Sequence, residues 1–313
     1  MKTCAACHED LPKDKFSKKQ WKLGADCQRR CTSCVTDNRE VQQLPPPTNN
    51  EPGDSEVGSL LISMSISDQM IPASDEELFK QPPPNEDCPI CFLRMPSMWS
   101  GYKYMSCCGK LICSGCIYAN SKLTVDDLCP FCRTPAATTN REHIKRIKLC
   151  MDSNDSFAFY SLGYYYYHGL YGLPKINSKA FELWHRAGEL GSAEAHYNIA
   201  YAYHKGEGVE RDEKKSNHYW ELAAICGHSD ARHNLGVMEK NKGNAGRALK
   251  HYKLSARVGH VQSLNTIKQL FMNGYATKDE YAEALRAHQS CINEIRSDQR
   301  DKAAACCDEF KYY

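Results

Sequence analysis

The chain has 313 residues, too long for one ordinary core and long enough for two or three domains. Charged residues make up 25% and the formal net charge is +2, so charge alone implies no attraction to nucleic acid or membrane. The 18 cysteines gather mainly in Cys-x-x-Cys pairs, which favours metal in a reducing compartment over a secreted disulfide framework. The opening Met1-Lys2-Thr3-Cys4-Ala5-Ala6-Cys7-His8 lacks the apolar core of a signal peptide, and no apolar run reaches the ~20 residues that span a bilayer. The expectation is a soluble intracellular protein, cytoplasmic or nuclear, with no membrane partner.

Residues 1–40 read as a small cysteine-rich zinc module. Cys4 and Cys7 form one pair and Cys31 and Cys34 a second, with twenty-three residues between them. A domain of this size buries too little surface to fold alone, so a metal would supply most of its folding free energy. Cys27 and His8 are substitutes or spectators. Lys18, Lys19, Lys22, Arg29 and Arg30 surround Trp21. That grouping suits either a nucleic-acid backbone with a stacked base or compensation of a negatively charged thiolate site, and the structural or protein-binding reading is the favoured one. The pattern resembles small treble-clef zinc modules.

Residues 41–85 read as a disordered acidic linker. Pro45-Pro46-Pro47 opens it and Pro82-Pro83-Pro84 closes it, with Glu51, Asp54, Glu56, Asp68, Asp75, Glu76 and Glu77 between. Proline, low hydrophobicity and one sign of charge cannot support a packed core.

Residues 86–135 carry eight cysteines. They are Cys88, Cys91, Cys107, Cys108, Cys113, Cys116, Cys129 and Cys132, with intervals of fifteen, four and twelve residues between the successive groups. Four thiolates make one closed tetrahedral zinc site, so eight make two. A zinc domain of another type and a disulfide framework are the competing readings of the spacing. The run resembles the RING finger in an all-cysteine version, with Lys110 standing where a histidine is common. The resemblance implies interleaved wiring: Cys88, Cys91, Cys113 and Cys116 on one zinc, and Cys107, Cys108, Cys129 and Cys132 on the other.

RING fingers of this kind are ubiquitin ligases. The resemblance implies a partner enzyme, a ubiquitin-conjugating enzyme charged with ubiquitin, docked on an apolar surface between the zinc loops. Ile90, Ile117 and Pro130 stand at the docking positions. Arg133 stands where an arginine bridges ubiquitin and the conjugating enzyme as a non-covalent linchpin. A planar five-donor guanidinium is suited to that double contact. The ligase contributes proximity and orientation rather than covalent chemistry.

Arg141 to Cys150 reads as a basic amphipathic helix joining this module to the next. Residues 141–313 read as a helical repeat domain. A period near 36 residues begins at about Ser156. Leu162-Gly163 recurs as Ile199-Ala200 and Leu235-Gly236; Trp184 recurs as Trp220 and Tyr252; Gly191 recurs as Gly227 and Gly259. Gly206 and Gly208 supply the positive φ needed to leave the first helix of a unit, and Asp212 caps the second. These units resemble the Sel-one-like repeat, a helical-hairpin relative of the tetratricopeptide family, over roughly 156–290. A final helix through Arg296 and Ala305 is expected to cap the stack. The Tyr164–Tyr167 run reads as core and groove lining, and His168, His196, His204 and His218 lack metal-ligand spacing.

The fold expected is therefore mostly α: two small zinc modules followed by an α-solenoid of about four hairpins. The function expected is a RING-type ubiquitin ligase whose repeats recruit a protein substrate or adaptor, with zinc as cofactor, two in the RING and one in the N-terminal module. A non-catalytic zinc-containing scaffold and a nucleic-acid-associated protein are the alternatives.

Overall fold

The computed structural model describes residues 72–83, 85–97, 101–123 and 127–312, together with Lys2–Thr3 and Asp10–Leu11. The chain divides into two units, 1–67 and 68–313. In the first, β1 (Lys2–Thr3) pairs antiparallel with β2 (Asp10–Leu11). The expected N-terminal ligands Cys4, Cys7, Cys31 and Cys34 lie outside the described residues.

The second unit starts with one helical turn, α1 (Asp75–Leu78), then a small cysteine-rich module. Its hairpin pairs β3 (Tyr102–Met105) with β4 (Lys110–Cys113), in the register Tyr102↔Cys113 and Met105↔Lys110. Helix α2 (Ser114–Leu123) follows β4 directly. Helix α3 (Asn140–Met151) then leads into the repeats; of the apolar positions Ile144, Ile147 and Leu149 expected on one face, the first two are buried and Leu149 is exposed. Its Arg146 is tied down rather than free, donating to the Pro135 carbonyl at 2.7 Å and pairing with Glu142.

Four helical hairpins stack after it. They are α4 (Ser156–His168) with α5 (Asn177–Glu189), α6 (Ala193–Lys205) with α7 (Glu213–Ile225), α8 (Ser229–Asn241) with α9 (Ala245–Arg257), and α10 (Val261–Met272) with α11 (Lys278–Ile295). The local chemistry sets the ends. Asp155, Ser192, His228 and His260 cap the first helices through side-chain acceptors. Gly206 ends α6 in the left-handed region at φ 73°, and Asp212 caps α7 as expected.

Packing explains the repeated residues. A Cβ on Gly163 would lie 2.7 Å from the Trp184 ring, and one on Gly236 would lie 2.6 Å from the Tyr252 ring. The absent side chain is thus what admits the aromatic of the second helix. Trp184 is buried and its indole N–H donates to the Tyr160 carbonyl at 3.2 Å. Trp220 and Tyr252 are buried at the equivalent points of the next two units. The fourth hairpin buries Ile267, Leu270 and Ala284. Of the tyrosine run, Tyr166 and Tyr167 are core, whereas Tyr164 is exposed.

Two arrangements differ from the sequence reading. Residues 72–83, assigned by composition to the disordered linker, lie against the repeats, with Leu78 buried among Trp220, Ala223 and Leu235. The hydrophobic anchor comes from a distant part of the chain, which composition cannot register. The last helix also does not cap the solenoid. The chain is extended at Arg296, and α12 (Asp298–Cys306) packs instead on α2 of the cysteine-rich module. Gly115 makes room for it: a Cβ there would meet the Arg300 backbone nitrogen at 2.9 Å. Among the described residues, no helix is long and apolar enough to cross a membrane.

Candidate metal centres and the face they shape

Two short turns present the first and last cysteine pairs in the same way. In one, the Cys88 N–H donates to the Leu93 carbonyl at 2.9 Å and the Phe92 N–H donates to the Cys88 carbonyl at 2.9 Å. In the other, Cys129 N–H donates to Thr134 at 2.9 Å and Arg133 N–H to Cys129 at 3.0 Å. Isolated bridges Asp87↔Arg94 and Leu128↔Pro135 close each turn. Phe92 (φ 57°) and Arg133 (φ 62°) end them in the left-handed region, a conformation that bulky side chains adopt only where the surroundings fix it.

The remaining four cysteines sit around the hairpin. Cys107 and Cys108 occupy the β3–β4 turn, where Cys108 and Gly109 N–H both donate to the Met105 carbonyl and Gly109 takes φ 66°. Cys113 ends β4, and Cys116 follows one turn later in α2.

These elements gather the sulfurs into two groups, Cys88/Cys91/Cys113/Cys116 and Cys107/Cys108/Cys129/Cys132, each with all four Sγ atoms within 4.8 Å of one another. That is the interleaved wiring. The separations fit a metal. Four sulfurs about 2.3 Å from one zinc define a tetrahedron with edges of about 3.8 Å. The distances are 3.9 Å for Cys88–Cys116, 3.7 Å for Cys91–Cys113, 3.9 Å for Cys108–Cys129 and 3.4 Å for Cys107–Cys132. A disulfide needs ~2.05 Å, and all eight cysteines are unbridged. Burial and then the neighbouring sulfurs push the Cys107 and Cys108 thiols up, Cys108 to about 12. In the same group burial of Cys132 is outweighed by hydrogen bonds with Thr134 and the neighbouring sulfurs, which draw its thiol down to about 6. Both groups are able to hold a metal ion, and their all-sulfur donor sets suit zinc.

The space between the two groups is packed, with Cys88, Met95, Ile112, Cys113 and Cys129 buried and Ile90 and Ile117 resting against them half-exposed. Ile117 and Pro130 line one cleft of about 530 Å³ together with Asn120 and Ser121. Ile90 is not among its lining residues. Arg133 is exposed, and its Nη1 donates to Asn120 Oδ1 at 2.9 Å. Phe92, Leu123 and Phe131 leave large apolar surface in solvent on the same small module, at 76%, 84% and 45% exposure. Among the described residues no histidine joins a metal-competent group.

Sequence reasoning missed two residues of this site. Asn120 gave no signal, being one polar residue in a short helix. Arg300 lies in the stretch expected to cap the solenoid and gave no signal as part of this site, yet it is fully buried. Its Nη1 donates to the carbonyls of Arg94 at 2.8 Å and Ile295 at 2.6 Å. Its Nη2 donates to the Leu93 carbonyl at 3.3 Å and stands 3.9 Å from Cys91 Sγ. A cation from the last helix therefore supports the first cysteine turn. Further contacts fix the module to the repeats. Tyr104 Oη donates to Asp155 Oδ2 at 2.6 Å, Ser97 Oγ donates to the Val258 carbonyl at 2.8 Å, and Arg94 pairs with Glu294.

No curated protein matches the chain. Among solved structures, a Sel1 repeat protein from Oxalobacter formigenes is 27% identical over 49% of this chain and 64% of that one, with a TM-score of 0.43. The protective antigen c5321 of uropathogenic Escherichia coli, which displays an SLR fold, is 24% identical over 52% of this chain and 35% of its own, with a TM-score of 0.41. This chain thus spans less than two thirds of either. The Sel1 repeat family matches three successive segments, 157–192, 193–228 and 229–260, which coincide with the first three hairpins. The C-terminal region is accordingly a solenoid built of Sel1 repeats.

Proposed function

We propose that the chain is a RING-type ubiquitin ligase. In this reading the cysteine-rich module docks a charged ubiquitin-conjugating enzyme and the Sel1 solenoid recruits a protein substrate or adaptor. The observation that carries it is the interleaved pairing of eight sulfurs, with Ile117, Pro130 and the Asn120-held Arg133 on the adjoining surface. Zinc, when bound, supplies the folding free energy of the module and no open coordination position. Cys4, Cys7, Cys31 and Cys34 hold a third zinc in the N-terminal module.

The chain's own residues act by placement. Ile90, Ile117 and Pro130 give the conjugating enzyme apolar contact. Arg133 spans the enzyme and its ubiquitin, restraining the thioester in one pose. A substrate lysine amine attacks the thioester carbonyl, an isopeptide bond forms, the carbon–sulfur bond breaks, and the thiol returns to the conjugating enzyme. Holding reactants in an attack geometry is worth several kcal/mol in such reactions. The rigid seating of the module on the repeats supports this role, because it fixes the distance between recruited substrate and loaded enzyme.

The test is reconstitution with activating enzyme, a panel of conjugating enzymes, ubiquitin and ATP. Chain formation should vanish in Ile90→Ala and fall sharply in Arg133→Ala, and elemental analysis should count three zincs per chain. Silence with every conjugating enzyme would make the protein a non-catalytic scaffold.

A further inference from the structure

Residues 73–81 are an occupant seated on a built surface. Alone they have little reason to order, because α1 is one turn and so short a helix is marginal in water. Ser74 and Glu77 close a capping box on it, but what fixes the segment is the face formed by α7, α8 and α9. The Ala73 N–H donates to Glu221 Oε2 at 3.2 Å. The Leu78 side chain is 1% exposed, set against Trp220, Ala223, Ala224 and Leu235. The Leu78 carbonyl accepts from Arg232, whose other nitrogen donates to the Ala224 carbonyl at 3.0 Å. Phe79 lies 4.7 Å from the His251 ring, with the Arg247 guanidinium at 5.0 Å and the Lys250 ammonium at 5.2 Å from its ring centre. Asp75 pairs with Arg247, and Gln81 accepts from Arg257 at 3.1 Å.

Arg232 is the telling residue. It is 2% exposed, and a buried guanidinium deprived of an acceptor is costly. Its use of a backbone carbonyl, rather than of any particular side chain, suits a peptide as ligand. The side-chain readout is then narrow: an acidic residue for Arg247, a leucine three positions later for the apolar pocket, and an adjacent aromatic for the basic and histidine face. We propose that the α7–α9 face is a peptide receptor for acidic segments of the form Asp/Glu-x-x-Leu-Phe on a partner protein, and that residues 73–81 occupy it in cis until such a segment displaces them. The proposal deepens the reading of the repeats as a recruitment arm. Its binding test is independent of ligase activity.

The size of the effect follows from the tether. A segment joined by Pro82 and Pro83 to the module is present at an effective concentration on the order of 1 mM, and against a free-peptide Kd of about 0.1 mM it would weaken apparent partner affinity by about tenfold. A fluorescein-labelled peptide of residues 71–83 is titrated against the full chain, against Leu78→Asp/Phe79→Ala, and against that variant carrying Arg247→Glu. The peptide should bind the first variant about tenfold more tightly than wild type, and the added Arg247→Glu should abolish the gain. A first variant that keeps the wild-type helical circular dichroism but binds no more tightly than wild type overturns the proposal. A second measurement covers misfolding: in the wild-type chain, millimolar unlabelled peptide should speed hydrogen exchange at the amides of residues 74–79. Unchanged exchange there overturns it as well. Ubiquitin transfer failing while the peptide binds would remove the ligase reading and leave this one standing.

Discussion

Replacing Arg300 by methionine keeps the apolar stem and removes the guanidinium. Three carbonyls, of Leu93, Arg94 and Ile295, then lose a donor inside the protein. Hydrogen bonds to a charged group are worth about 1.5–3 kcal/mol each. The 3.3 Å contact to Leu93 counts for less than the other two, so the loss is about 3–5 kcal/mol, in the range found for breaking buried charge pairs. For a unit of this size each kcal/mol moves Tm by ~2–4 °C, giving a fall of roughly 10 °C. The assay is thermal unfolding by circular dichroism, alongside zinc transfer from the loaded protein to a chromophoric chelator. Zinc should leave Arg300→Met faster than wild type, because the Cys91 turn is no longer held from behind. Arg300→Lys should fall between the two, since an ammonium keeps the charge without the planar fork. A Tm within ~1 °C of wild type and an unaltered transfer rate would refute the idea that the last helix supports the metal module.

The packing of Gly163 makes Gly163→Ala destabilising by about 1–3 kcal/mol, against the ~1 kcal/mol gain that helix propensity alone would give, and urea unfolding would read the sign. Burial, then neighbouring basic groups, holds His251 down to about 3, and burial likewise lowers His196 and His233 to about 4. In the unfolded chain these imidazoles take up protons near pH 6.5, while in the fold they stay neutral. Stability should therefore be full above about pH 6.5 and fall as pH drops toward 4, by up to ~1.4 kcal/mol per pH unit for the buried His251 and by less for the half-buried His196 and His233. Denaturation midpoints at pH 7 and pH 5 check this, and His251→Gln should flatten the slope. Strong chelation should unfold residues 85–135 and leave most of the solenoid's helical signal intact, because the eight ligands all lie outside the repeats. Asn120→Ala should lower ubiquitin transfer less than Arg133→Ala, since it frees the guanidinium rather than deleting it.

The cysteine intervals made the two metal-competent groups legible because closely spaced thiol pairs have one dominant use, as donors to a metal. The hairpins were legible through Gly163, Trp184 and their successors, whose spacing follows from one unit packing on the next. What escaped was determined by residues far apart in sequence. Leu78 looked like part of an acidic linker because its pocket lies some 150 residues away. A local signal did exist: Ser74-x-x-Glu77 followed by Leu78-Phe79 is a capping box ahead of apolar residues. Arg300 carried none, since nothing in Asp298–Cys306 distinguishes a solvated arginine from one buried beneath another domain.

The support that Arg300 gives Cys91 joins residues 209 positions apart. At 5–20 residues per second a ribosome needs about 10–40 s to bridge that interval. The first cysteine turn thus emerges well before its guanidinium exists, and any metal held there would be loosely supported and exchangeable until that helix has been made. Maturation of the module is in this sense a late event, timed by a helix encoded far downstream.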